Sequence, residues 1–239
     1  MSEHGQAPQD DVSSLFSVLL PDTTMTDLLD RVTELAARTV GNCTFAGITM
    51  GQDGKMETPV YTDERSPRVD QVQYDTGTGP CVEAFRTGEV LEIRDTATEE
   101  RWRHFCDAAL EENIRSTLSV PLDVSGNRTE VLGALNLYSE VPHAFDDEAR
   151  ASTEAFAQQA AIVVANARAY WGAKEQSEQL QRAMESRATI EQAKGILMAQ
   201  SRVTPEEAFQ LLVRASQREN RKLREIAAEI VDRAQRPSA

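Results

Sequence analysis

The 239-residue chain is 40% hydrophobic and 27% charged, enough apolar material for a folded core and too much for a wholly disordered polypeptide. No apolar run reaches the roughly 18–20 residues of a membrane-spanning helix, and the polar start, with Glu3, Asp10 and Asp11, has neither a secretory nor a transit pattern. Three cysteines, none at zinc spacing, do not make a disulfide scaffold, so a reducing, cytoplasmic setting is expected. The net charge of −14 is uneven: residues 1–183 hold 15 Lys+Arg and 31 Asp+Glu, net −16, and residues 184–239 hold 10 and 8, net +2. The acidic part should avoid nucleic acid, whereas the last quarter can accept it.

Residues 1–11 read as disordered, and residues 15–20 form a short apolar run that ends at Pro21. Thr24 can cap a helix with Asp27 in its first turn; Met25, Leu28, Leu29, Val32, Leu35 and Ala36 follow at helical spacing until Gly41. Residues 43–50 are rich in strand formers. The Asp53-Gly54 turn predicts a hairpin with residues 56–62, where Pro59 suggests an edge strand. An irregular segment leads to a short strand over 90–93, a helix over 99–110 and two alternating strands around Leu118 and Leu135. This order predicts an α+β domain on an antiparallel sheet, with no βαβ repeat.

From Asp146 onwards proline is absent as far as Gln200, and an acidic helix start follows Phe145. A helical stalk is expected, with Phe156, Val163, Ala167, Tyr170, Leu180 and Met184 as a weak coiled-coil seam. Packing on the chain's own sheet accounts for 149–168, but apolar residues are too sparse for that over 174–187. Thr204-Pro205-Glu206-Glu207 is a capping box, Ala208, Leu211, Leu212 and Ala215 share one face, and Leu223, Ile226, Ala227 and Ile230 share another. Residues 186–232 therefore read as three short helices with a small core.

Two resemblances rest on these residues. Ile190-Glu191-Gln192-Ala193-Lys194-Gly195-Ile196-Leu197-Met198, then Ala208-Phe209, Leu212, Arg214, Ser216-Gln217, Asn220, Lys222-Leu223 and Ile226-Ala227 resemble the ANTAR domain, the RNA-binding module of bacterial transcription antiterminators. Gly77-Thr78-Gly79-Pro80-Cys81, Ala84, Thr87-Gly88-Glu89-Val90, Asp95, Ser119-Val120-Pro121-Leu122 and Leu132-Gly133-Ala134-Leu135-Asn136-Leu137 resemble a GAF domain, a sensory α+β fold with variable ligands. The expected layout is a disordered start at 1–11, a GAF sensor over 12–168, a helical coiled-coil linker over 169–185 and an all-α three-helix ANTAR domain over 186–236.

The resemblance implies RNA contact through Lys194, Arg214, Asn220 and Lys222. Arg187, Gly195, Ser216 and Arg224 complete the candidate set, within a basic cluster that also holds Arg202, Arg218 and Arg221. Gly195 either admits an RNA backbone or allows close helix packing. Phe209, the aromatic of this segment, is expected in the core. The expected partners are a stem-loop in a nascent transcript, a second copy of the chain, and a small-molecule or protein signal at the GAF domain. A non-catalytic antiterminator without cofactor or metal is the leading reading. The alternative is a GAF-type redox enzyme or sensor using Cys81 and Cys106, of the kind that reduces free methionine sulfoxide. Against it, His104-Phe105 precedes Cys106 where those enzymes carry Gly-His-Ile-Ala. Cys43 is expected in the core. A DNA-binding reading is disfavoured by the acids at the Thr204 helix start.

Overall fold

The computed structural model describes residues 23–52 and 55–235. Expectations for residues 1–11, for residues 15–20 and for the Asp53-Gly54 turn lie outside the described residues. The chain divides into two compact units between Tyr170 and Trp171.

In the first unit, α1 (Met25–Thr39) starts at a capping box in which Thr24 and Asp27 exchange side-chain and backbone hydrogen bonds, as the sequence predicts. Its Leu28, Leu29, Val32, Leu35 and Ala36 are buried. Strands β1 (Phe45–Gln52) and β2 (Lys55–Tyr61) pair antiparallel, with Gln52 opposite Lys55. β3 (Leu91–Ile93), β4 (Ser116–Asp123) and β5 (Val131–Ser139) complete an antiparallel sheet in the order β2-β1-β5-β4-β3. β2 is an edge strand, which is where Pro59 can sit without losing a ladder bond. Pro121 lies in β4 beyond the stretch that β3 reaches, next to a register shift, so its missing N–H also breaks no ladder.

The segment expected to be irregular holds two helices, α2 (Arg65–Thr76) and α3 (Pro80–Thr87). The reason is visible in α2: its buried face is Ser66, Val69, Asp70 and Gln73, mostly polar, so no apolar period announces it. α4 (Arg103–Glu111) begins four residues later than expected, after a turn in which Glu99 accepts the Arg101 N–H. Phe45, Val69, Ile93, Trp102, Phe105, Cys106, Ala109, Ile114 and Tyr138 form a core cluster, with the Phe45 and Tyr138 rings stacked at 4.9 Å. Burying a large apolar side chain of this kind stabilises by about 1.5–3 kcal/mol.

α5 (Asp147–Ser201) is one helix of 55 residues. The first of the three expected C-terminal helices is therefore the end of the stalk helix, and no break occurs at Gly172 or Gly195. Phe156, Val163 and Ala167 are buried, whereas Leu180 and Met184 are 60% and 68% exposed. The seam thus splits: Phe156, Val163 and Ala167 are core of the first unit, and Leu180 and Met184 lie on the surface. α6 (Pro205–Glu219) and α7 (Leu223–Gln235) complete the second unit.

Candidate functional site

The second unit is assembled around a small core of Ala193, Leu212, Ile226, Ala227 and Val231, with Ile190, Ile196, Leu197 and Leu223 packed against it. Thr204 fixes the start of α6: its hydroxyl accepts the Glu207 N–H, and the Glu207 carboxylate accepts the Thr204 N–H at 2.9 Å. That backbone bond holds the Glu207 carboxyl below its ordinary range. Asn220 ends α6 in the left-handed conformation, with its N–H bonded to Ser216 and Gln217 carbonyls. The Ser216 hydroxyl donates to the Arg221 carbonyl, and the Arg221 N–H returns to the Ser216 carbonyl. Ser216 and Asn220 thus shape the α6–α7 turn, which sets where Lys222 and Arg224 project.

The candidate residues differ in what they leave for a partner. Arg187, Arg214, Lys222 and Arg224 are exposed, and among the described residues none of them forms an ion pair. Lys194 is different. Its ammonium lies 3.0 Å from both Glu191 oxygens, and its side chain is 17% exposed. Arg221 is occupied by Glu219 and Glu229, and the Glu229 hydrogen bond holds its guanidinium charge more firmly. A Cβ at Gly195 would meet no atom within 4 Å, so helix packing does not require this glycine. Phe209 is 37% exposed, a correction to its expected core position. Ala208 and Leu212 face the core, and Phe209 is turned about 100° from Ala208 around the helix. The Phe209 ring is therefore partly open to a partner.

A shallow groove of about 300 Å³ runs between α5 and α7, lined by Arg182, Glu185, Ser186, Thr189, Arg224 and Glu225. It places Arg182 beside Arg224, a pairing that sequence spacing alone does not reveal. Spacing of three and four along α5 could have flagged Arg182, Ser186 and Thr189 as one face.

In the first unit, Cys81 is the second residue of α3 and fully buried, and Cys106 lies in the core cluster. Burial pushes the Cys81 thiol well above its ordinary value and the Cys106 thiol up to about 11. The helix start therefore does not yield a thiolate at Cys81. Cys43 is half-buried just before β1, not in the core as expected, and burial raises its thiol to about 12. His104 is exposed on α4. Among the described residues no cluster of three or more His, Cys, Asp or Glu could hold a metal ion. No described helix is long and apolar enough to cross a membrane.

Family models place a GAF domain at residues 22–165 and an ANTAR domain at residues 178–231. Solved structures similar to the chain share its GAF fold. The GAF domain of a phosphoenolpyruvate-protein phosphotransferase from Coxiella burnetii aligns with TM-score 0.56 at 18% identity, covering 69% of this chain and 94% of that one. A domain of a two-component sensor histidine kinase protein from Sinorhizobium meliloti aligns with TM-score 0.52 at 17% identity, covering 64% and 98%. The reduced form of fRMsr from Staphylococcus aureus aligns with TM-score 0.51 at 16% identity, covering 69% and 99%. At these identities the likeness concerns the fold alone. No curated protein matches the chain. With a GAF model over more than half of its length and an ANTAR model over the second unit, the chain belongs to the GAF-ANTAR family.

Proposed function

We propose that the chain is an RNA-binding regulator of transcription antitermination, in which the GAF domain takes up a signal and the ANTAR domain holds a stem-loop of a nascent transcript. The observation that carries this reading is the set of exposed cations that form no ion pair among the described residues, Arg187, Arg214, Lys222 and Arg224, on the domain the ANTAR model matches. Free guanidinium and ammonium groups displace counterions from a phosphate backbone. Open backbone at Gly195 and the exposed Phe209 ring add a close-approach surface and a stacking surface for unpaired bases. Holding the stem-loop would exclude a competing terminator hairpin, and no bond is made or broken.

The working form in this reading is a homodimer in a cytoplasmic setting. Leu180 and Met184 are one helical turn apart and exposed over 174–187, a surface that a second copy's α5 would cover. Sequencing of RNA crosslinked to the full chain in cells tests the reading. Enrichment of leader transcripts with hairpins upstream of terminators is expected, and recovery of no RNA above background overturns it.

A further inference from the structure

The groove between α5 and α7 lies wholly within the second unit, and its walls and floor differ in chemistry. Arg182 and Glu185 stand exposed on the α5 wall, and Arg224 and Glu225 stand exposed on the α7 wall. Ser186 and Thr189 are half-buried at the bottom. At about 300 Å³ the groove is at the small end of the cavities that hold whole ligands, a size that suits one residue of a polymer laid across it.

The four charges of the walls are not equally committed. The Glu185 carboxylate accepts from Gln181 Nε2 at 2.8 Å, and the Glu225 carboxylate lies 3.9 Å from the Arg221 guanidinium. Both acids are thus engaged on their own helix. Arg182 and Arg224 form no ion pair among the described residues. The charge left for a ligand is therefore positive and comes from both walls. A guanidinium presents the planar fork of donors that matches phosphate oxygens.

The floor is selective in another way. The Thr189 hydroxyl donates to the Glu185 carbonyl at 2.9 Å, so its proton is spent and its oxygen is left to accept. It calls for a ligand group that donates. The Ser186 hydroxyl forms no hydrogen bond among the described residues, so it serves as donor or acceptor. Beside a phosphate, the donor that an RNA backbone presents is the ribose 2′-hydroxyl, which DNA lacks.

We infer that the groove is a seat for a stretch of ribose-phosphate backbone, with Arg182 and Arg224 on its phosphates and Thr189 accepting from a 2′-hydroxyl. This rests on the RNA-binding reading given above and deepens it: Arg182 becomes a contact, and discrimination of RNA from DNA falls to Thr189. A deoxyribose in the seat would leave the Thr189 oxygen covered and without a donor, a loss that a hydrogen-bonded polar group pays when its partner is removed.

Binding of crosslink-enriched hairpin RNA to the full chain tests the seat, with single 2′-deoxy substitutions scanned through the hairpin. Arg182→Ala should weaken binding about tenfold, the loss of a charge-assisted hydrogen bond. It should also make the dependence of log affinity on log salt shallower by about 0.7, one phosphate on a single strand. Arg182→Lys, which keeps the charge, should restore the slope. In the parent, one 2′-deoxy position should cost about fivefold in affinity. That position should cost nothing further in Thr189→Val, and as much as in the parent in Thr189→Ser. Unchanged affinity and slope in Arg182→Ala, a parent indifferent to every 2′-deoxy substitution, or a penalty that survives in Thr189→Val overturns the seat and leaves RNA binding by the ANTAR domain standing. If the full chain retains no hairpin RNA, the proposed function fails and the seat fails with it.

Discussion

A single buried carboxyl group sets a sign that can be measured. Asp70 sits at about 6 in the fold against an ordinary value of 3.8, so the folded chain binds this proton more readily than the unfolded one. Its effect is a loss of stability as pH rises from about 4 to about 6, and no further change above that. At about 1.4 kcal/mol per pH unit, the gap corresponds to about 3 kcal/mol, an order-of-magnitude figure. Carboxyls held low by hydrogen bonds, such as Asp63, bonded to Arg65, and Asp95, bonded to the Ala97 N–H, act in the opposite sense below about pH 4. The difference between parent and Asp70→Asn isolates the buried group. Urea unfolding should show the variant gaining on the parent by about 3 kcal/mol between pH 4 and pH 7. A difference that does not vary with pH would mean that Asp70 keeps its ordinary titration in the fold. Gly195 offers a second residue-scale test, because folding and binding pull in opposite directions there. Alanine meets no neighbour within 4 Å, so Gly195→Ala should stabilise α5 by about 0.5–1 kcal/mol. Hairpin RNA affinity should nevertheless fall, since a methyl group would block close approach. A variant that is both more stable and equally tight would remove Gly195 from the interface.

At the scale of elements, legibility followed apolar patterning. α1 and α6 were readable because capping boxes at Thr24 and Thr204 precede clean apolar stripes. The hairpin of β1 and β2, with its edge proline, was readable from strand formers around a turn. α2 was not, because its inward face is Ser66, Asp70 and Gln73, and their burial depends on hydrogen bonds from β2, β5 and α3 that no local pattern encodes. Pro67 added to the difficulty, though in the first turn it removes no intrahelical bond. The basic character of the ANTAR surface was legible, but its division into paired and free cations was not. Lys194 faces Glu191 across one turn, whereas Arg187, Arg214, Lys222 and Arg224 form no ion pair among the described residues, a distinction set by three-dimensional neighbours. Phe209 was misplaced because Ala208 and Leu212, four residues apart, already complete the inward stripe of α6.

At the scale of the molecule, charge and exposed apolar surface make separate demands. The exposed Leu180 and Met184 favour assembly through α5, so light scattering of the full chain should return about twice 26.5 kDa at micromolar concentration. Leu180→Glu with Met184→Glu should return the monomer mass, and a parent that is already monomeric would remove the dimer from the proposal. Charge makes the more central demand: residues 1–183 are net −16, so the proposed RNA binding relies on the exposed cations of the ANTAR domain. The most direct test is the salt dependence of hairpin RNA affinity, compared between the full chain and a variant with Arg187, Arg214, Lys222 and Arg224 all changed to alanine. For the parent, the logarithm of affinity should fall linearly with the logarithm of salt between roughly 50 and 200 mM. The variant should bind more weakly, with a slope shallower by about 3, the counterions of four contacts on a single strand. Equal affinity and an equal slope would contradict the assignment of RNA binding to this surface.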